Sequence, residues 1–298
     1  MNYKKLIPNQ EIRFKILGLL DFLPDKFMIK IQYWIKTGRI LNLENPKRFT
    51  EKLQWYKLYY RDPLMTQCAD KHNVRQFIIE KGYENILIPQ YGVYDNANDI
   101  DFDNLPSEFV LKTTNASKTN ILCHDKSTLN IEETINTLNQ WLVDRPVKMG
   151  REWAYYDIKP KIICEKLIKD KTNNKKELSD YKFICFNGEA KYVWIDIDRY
   201  SNHKRNFYDL EWNFLDVDSD IPNCGDIIPK PGGLERMIQV ATDLSKDFPH
   251  VRVDLYWVNE EVYFGELTFY LLSGYEEFKP DQFDFILGEQ FKVDKMKY

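Results

Sequence analysis

The sequence predicts an α/β chain of α+β type, two mixed lobes behind a helical N-terminal extension. Three observations lead there: helix-spaced apolar residues fill the first 60 positions, helix and strand patterns alternate to about residue 160, and the remainder is dominated by strand-like runs. With 298 residues, 43% hydrophobic and 30% charged, the chain is long enough for more than one lobe.

Leu17, Leu20 and Leu23 recur near helical spacing, as do Phe27, Ile31, Trp34 and Ile35, with Pro24 between the two runs. The stretch from Phe14 to Ile35 reads either as helices packed within the protein, the blander alternative, or as an amphipathic element on a membrane. Asn45-Pro46 supplies a turn, and Thr50 then precedes a helix carrying Glu51, Leu53, Trp55, Leu58 and Tyr59, closed by Pro63. Another helix is expected from Leu64 to Lys81, ending at Gly82, with a strand at Ile86-Leu87-Ile88-Pro89. Phe109–Lys112 and Thr119–Cys123 read as a hairpin, followed by a helix from Ile131 to Leu142.

Strands are expected at Lys161–Lys166, Tyr181–Phe186, Lys191–Ile197, Val251–Val258 and Glu261–Phe269. Helices are expected at Leu234–Leu244 and, briefly, at Gln282–Gly288, and Lys169–Glu177 reads as a polar loop. The implied organisation is an extension over 1–62, a connecting region over 63–105, a small lobe over 106–160 and a large lobe over 161–298.

Composition narrows function. A net charge of −4 without a basic block argues against nucleic acid as a partner. Five cysteines without a CxxC pair fit a reducing, cytoplasmic setting, and four scattered histidines give no zinc spacing, so any metal should be held by oxygen. No segment approaches the ~20 apolar residues of a membrane span, and no signal peptide is expected.

The most informative segment is Arg252-Val-Asp254-Leu-Tyr256, followed by Val262-Tyr-Phe-Gly265-Glu266-Leu-Thr268. Strand alternation puts Arg252 and Asp254 on one face and Glu266 and Thr268 on one face of the next strand. Such an oxygen-rich group suits Mg²⁺, or Mn²⁺ in its place, with Arg252 neutralising developing negative charge. The same residues also read as a plain salt-bridge cluster.

Ala69-Asp-Lys71, Phe109-Val-Leu-Lys112, Ile162-Ile-Cys-Glu165-Lys-Leu-Ile168 and Asp180-Tyr-Lys182 precede those strands in order. With Asn45-Pro-Lys-Arg-Phe-Thr-Glu-Lys-Leu-Gln-Trp55 and Phe264-Gly-Glu-Leu-Thr-Phe-Tyr270 before Ser273-Gly274, the chain resembles the TupA-like branch of the ATP-grasp enzymes, which act in bacterial surface-polysaccharide synthesis. The resemblance implies an ATP-grasp fold with two subdomains gripping ATP. It implies Lys71 and Lys112 on the phosphates, and Glu165 with the backbone of Lys166, Leu167 and Ile168 on adenine. Asp180 would then take the ribose, and Asp254, Glu266 and Thr268 the metal. It further implies ligation of a small-molecule or saccharide carboxylate, such as a uronic acid, to an amine through an acyl phosphate, with peripheral contact to membrane-bound polysaccharide machinery.

Two departures from the branch stand out. Where a glycine-rich loop is usual, the chain has Thr113-Thr-Asn-Ala-Ser117-Lys118, so Ser117 and Lys118 are the donors left for phosphate. Leu271 stands where the branch often has proline. Lys182 and Arg199 are further candidates for the γ-phosphate or an acidic substrate, with exposed ion pairs as the alternative, and Trp194, Tyr200, Tyr208 and Trp212 read either as a sugar platform or as core. Two Asp-x-Asp triplets, Asp196–Asp198 and Asp216–Asp218, leave a glycosyltransferase as the rival, beside an ATP-grasp kinase or a non-catalytic nucleotide-binding relative.

Overall fold

The computed structural model describes residues 9–143, 150–170, 178–197 and 202–293. Among the described residues three helices come first: α1 (Gln10–Leu19), α2 (Asp25–Thr37) and α3 (Phe49–Tyr59). Pro24 stands just ahead of α2, and Gly38, in the left-handed region at φ 71°, ends that helix by donating its N–H to Trp34 O. Of the apolar run from Phe14 to Ile35, Met28, Ile29 and Tyr33 are buried, but Leu19, Phe22, Phe27 and Trp34 are exposed, so packing accounts for only part of it.

Pro63 does not close α3. It is the first residue of α4 (Pro63–Ala69), where a missing N–H costs nothing, and Asp62 caps that helix by accepting from Leu64 N. The single helix expected over Leu64–Lys81 is two, because the Asp70 carboxylate accepts from the His72 and Asn73 N–H groups and restarts the turn as α5 (Val74–Glu80). Ile86–Pro89 is not a strand either; a 3₁₀ turn covers Glu84–Ile86 and the strand follows Pro89 as β1 (Gln90–Tyr94).

The remaining strands are β2 (Phe109–Thr113), β3 (Asn120–Cys123), β4 (Ile162–Glu165), β5 (Asp180–Phe186), β6 (Glu189–Ile197), β7 (Lys204–Asp209), β8 (Phe214–Leu215), β9 (His250–Val258) and β10 (Glu261–Thr268). Helix α6 (Ile131–Val143) precedes β4, α7 (Leu234–Ser245) precedes β9, and α8 (Gln282–Gln290) follows β10. They make two antiparallel sheets, β1-β4-β2-β3 and β10-β9-β5-β6-β7-β8.

The small sheet packs on α6 through Phe109, Leu111, Cys123, Leu138, Ile162 and Cys164. Along the large sheet the period of two separates the faces. Phe183, Val193, Val253 and Leu267 are in register on one face, which α7 covers with Leu234, Met237, Val240, Ala241 and Leu244. The other face is divided along its length. Its His250 end is closed by α3 and α8, with Phe49 against Phe186 and His250, and Phe283 against Tyr192 and Phe207. Its opposite end carries the charged residues.

The extension is fastened to the C-terminal part of the chain. Thr50 N and Oγ1 donate to the two Asp284 oxygens at 3.0 and 2.8 Å, Arg48 pairs with Asp281 at 2.7 Å, and Gly288 lies where a Cβ would come 2.1 Å from Lys47 O. The sugar-platform reading fares unevenly: Trp194 and Tyr208 are fully buried, Tyr208 stacks on Trp212 at 4.5 Å, and Tyr200 lies outside the described residues. Within the loop expected over Lys169–Glu177, residues 171–177 also lie outside them.

Candidate functional site

Three neighbouring strands bring the expected charges into one row. Lys182 on β5 pairs with Asp254 on β9, and Asp254 with Glu266 on β10, while Arg252 sits opposite Thr268. A β-bulge between Phe264 and Glu266 sets that register. Gly265 fills the bulge because a Cβ there would lie 3.0 Å from Asp254 O.

The row is a continuous chain of charge-assisted hydrogen bonds. Lys182 Nζ donates to Asp180 Oδ2 and Asp254 Oδ2, each at 2.5 Å. Arg252 grips Asp254 through Nε and Nη2, both at 2.6 Å, and its Nη2 also reaches Glu266 Oε1 at 3.1 Å and Thr268 Oγ1 at 3.0 Å. Asp180, Lys182 and Asp254 are buried, whereas the Glu266 side chain is 40% exposed, so the chain ends at an open carboxylate. Burial alone would raise the Glu266 carboxyl; Lys71, Arg252 and Lys182 overcome it and bring its pKa down to about 2.

Lysines from two different elements line a narrow cleft beside the row. Lys71 follows α4, and burial pushes its ammonium down from the usual lysine range, opposed chiefly by the Glu266 charge. Its Nζ donates to Ala116 O at 2.7 Å and its N–H to Thr114 O at 3.0 Å, which ties the Thr113–Lys118 loop to this turn. Lys112 on β2 reaches Glu165 on β4 at 2.6 Å. Lys71, Arg75, Lys112 and Glu165 line the cleft with Leu87, Ile88, Phe264 and Gly265, a pairing of ionic and apolar walls.

Other expected residues are less concentrated. Ser117 and Lys118 are exposed on their loop, where Lys118 takes φ 64°. The Lys166 N–H donates to Pro89 O at 2.9 Å, while Leu167 and Ile168 are half-buried beyond the end of β4. Arg199 lies outside the described residues. Asp196 is held by Arg205 at 2.7 and 3.2 Å, Asp198 is outside the described residues, and Asp216 and Asp218 both accept from Asn223.

Sequence reading passed over a second layer behind the row. Lys57 of α3 is buried and donates to Gly150 O at 2.8 Å, Ser273 O at 2.7 Å and Ser273 Oγ at 3.1 Å, and Gln54 Nε2 donates to Ser273 O and Gly274 O. Ser273 Oγ in turn donates to Glu152. Leu272, Ser273 and Gly274 all have positive φ, a tight turn after β10 that α3 holds in place. A buried lysine with three acceptors is the only local signal, and it appears only when positions 57, 150 and 273 are brought together by folding.

Mg²⁺ takes one or two carboxylates and completes its shell with water and phosphate oxygens. Glu266 fits such a role, with its carboxylate ionised and partly exposed and Thr268 Oγ1 bonded to it at 3.2 Å. Asp254 reaches a metal only by exchanging a bond from Lys182 or Arg252. Among the described residues no group of three or more His, Cys, Asp or Glu is arranged as a metal site.

The family model described as TupA-like ATPgrasp matches residues 51–292. No curated protein matches the chain. Among solved structures it is similar to a D-alanine–D-alanine ligase from Bacillus anthracis, at 18% identity and TM-score 0.43 over 67% of this chain. A D-alanine–D-alanine ligase from Helicobacter pylori matches at 15% and 0.40 over 76%, and N5-carboxyaminoimidazole ribonucleotide synthetase from Thermus thermophilus at 11% and 0.42 over 74%. The chain spans 56%, 61% and 51% of those three chains.

Proposed function

The chain belongs to the TupA-like ATP-grasp family and has the ATP-grasp fold, and on that premise we propose that it is an ATP-dependent ligase joining a carboxylate to an amine. One observation carries the reading: Lys71 and Lys112, from two different elements, converge on a cleft with apolar walls beside the open Glu266 carboxylate, with the Arg252 and Lys182 cations behind it.

In this reading ATP lies in the cleft. Its adenine rests against Leu87, Ile88 and Phe264 near Glu165 and the Lys166–Ile168 backbone, and Asp180 is the ribose candidate. Lys71 and Lys112 hold the phosphates, with Ser117 and Lys118 reaching in from the loop. Glu266, Thr268 and Asp254 are the donors for Mg²⁺, which when bound would shield the β- and γ-phosphate charges.

The γ-phosphoryl passes to the acceptor carboxylate, giving ADP and an acyl phosphate; the amine then attacks the acyl carbon and phosphate leaves. Arg252 faces the negative charge that builds on the carbonyl oxygen, and Lys182 and Arg199 serve the phosphoryl or an acidic substrate. The carboxylate is proposed to be a uronic acid or similar saccharide acid of a surface polysaccharide and the amine an amino acid, with the enzyme cytoplasmic and close to the polysaccharide machinery. Of the expected limits 1–62, 63–105, 106–160 and 161–298, the inner ones move, because the small sheet takes in β1 (Gln90–Tyr94) and β4 (Ile162–Glu165); ATP is proposed to lie between the small and large sheets.

A specific observation supports a second reading, a nucleotide-binding relative without turnover: Lys71 is engaged with Ala116 O and Lys112 with Glu165. A glycosyltransferase is not retained, because the family model that matches residues 51–292 is of the ATP-grasp type. Incubation with ATP, Mg²⁺, uronates and amino acids distinguishes the cases. ADP release that needs both acceptors supports ligation; release with the carboxylate alone points to a kinase; ATP binding without release favours the silent relative.

A further inference from the structure

The first two helices turn apolar side chains outward. Ile12, Ile16 and Leu19 recur at i, i+4 and i+7 on α1, Phe22 stands at the corner between the helices, and Phe27 and Trp34 lie seven apart on α2. All six are exposed, Leu19 at 76% and Phe22 at 81%, while the opposite face of α2 buries Met28, Ile29, Gln32 and Tyr33. Of the fifteen large hydrophobic residues exposed among the described residues, seven fall between 12 and 40, a concentration that scattered surface exposure does not give.

Charge is concentrated in the same segment. Residues 1–40 hold eight Lys and Arg against three Asp and Glu, a net +5, so the other 258 residues carry −9 of a total of −4. Two of the acids are engaged by the body of the protein: Arg151, buried at 2% exposure, binds Asp25 Oδ1 at 3.0 Å and approaches Asp21 at 3.7 Å, and its Nη2 also holds Leu20 O at 2.9 Å. Lys15, Lys26 and Lys30 are exposed and have no acidic partner among the described residues.

We propose that α1, α2 and the corner between them dock on an anionic lipid bilayer, with Leu19, Phe22 and Trp34 entering the interface and Lys15, Lys26 and Lys30 meeting lipid phosphates. Apolar side chains beside these lysines fit a surface that is greasy below and negative above, where an acidic protein partner would match only the lysines. Arg151 fixes the corner to the body, so the helices present a formed surface.

The test is sedimentation of the full chain, without nucleotide, with vesicles of phosphatidylcholine alone or mixed with phosphatidylglycerol. Omitting nucleotide makes the result independent of the ligase reading. Binding should require phosphatidylglycerol and weaken with salt. It should fall at least about tenfold in Leu19→Ser/Phe22→Ser/Trp34→Ser and at least about a hundredfold in Lys15→Glu/Lys26→Glu/Lys30→Glu. Both variants alter exposed side chains, and circular dichroism should match the wild type. No vesicle binding, or equal binding by wild type and both variants, overturns the proposal. So does a wild-type dimer that the apolar variant turns into a monomer without any vesicle binding, since the face would then belong to a second copy.

Discussion

Two ion clusters occupy the same face of the large sheet, meeting where β5 pairs with β6, and differ in what lies above them. In the first, Lys182, Asp254 and Arg252 lead to Glu266, whose side chain is 40% exposed near Lys71. In the second, Arg205 binds Asp196 at 2.7 Å and Glu276 at 3.4 Å, stacks over Trp194 at 4.5 Å, and is sealed with its partners below 5% exposure. Like residue types therefore end in an open carboxylate in one place and a sealed fastening in the other. An open end makes the difference: Glu266 keeps part of its carboxylate toward solvent, whereas Asp196 and Glu276 are sealed.

The contrast breaks most sharply at Arg205. Arg205→Met leaves the buried Asp196 carboxylate with the His203 ring, Nε2 at 3.2 Å, as its nearest remaining partner and should cost about 3 kcal/mol in urea unfolding, while the turnover of the protein still folded at low temperature stays close to wild type. A collapse of turnover per folded molecule would place the second cluster in the site. Glu266→Gln should do the reverse, lowering ATP turnover roughly 100- to 1,000-fold with little change in Tm. Retention of more than a tenth of the activity would reduce the first cluster to a fastening as well.

Titration sharpens the comparison further. Burial raises Glu276 from 4.5 to about 7, against the pull of Arg205, so between those values the folded state holds a proton that the unfolded state has released. Stability should fall as pH rises from 4.5 to 7, by up to ~3 kcal/mol at about 1.4 kcal/mol per pKa unit, and Glu276→Gln should flatten that slope. Parallel slopes for wild type and variant would contradict it. The smallest effect is expected at Lys112: Lys112→Met should raise the KM for ATP about tenfold, the equivalent of one charge-assisted hydrogen bond, and an unchanged KM would remove Lys112 from the phosphate contacts.

Legibility in the sequence followed the same divide. The row on β5, β9 and β10 was readable because alternation alone puts Arg252 with Asp254 and Glu266 with Thr268, and the large lobe's pairing added Lys182. β1 and β7 were missed, since Gln90–Tyr94 and Lys204–Asp209 are too polar or too mixed to alternate cleanly. The break between α4 and α5 was hidden in one side chain, Asp70, which offers its own acceptor in place of the helix backbone. Lys57, Arg151 and Glu276 meet partners about 90 to 220, 130 and 70 residues away respectively, and no local pattern carries such distances.

The bonds from Thr50 to Asp284 also set a clock on synthesis. A ribosome adding about 5–20 residues per second needs roughly ten to fifty seconds to travel the 234 residues between them. Throughout that interval α3 exists without α8, and Phe49 lacks the Phe291 ring it will rest against. α3 thus waits on residues made 234 positions later before its contacts are complete.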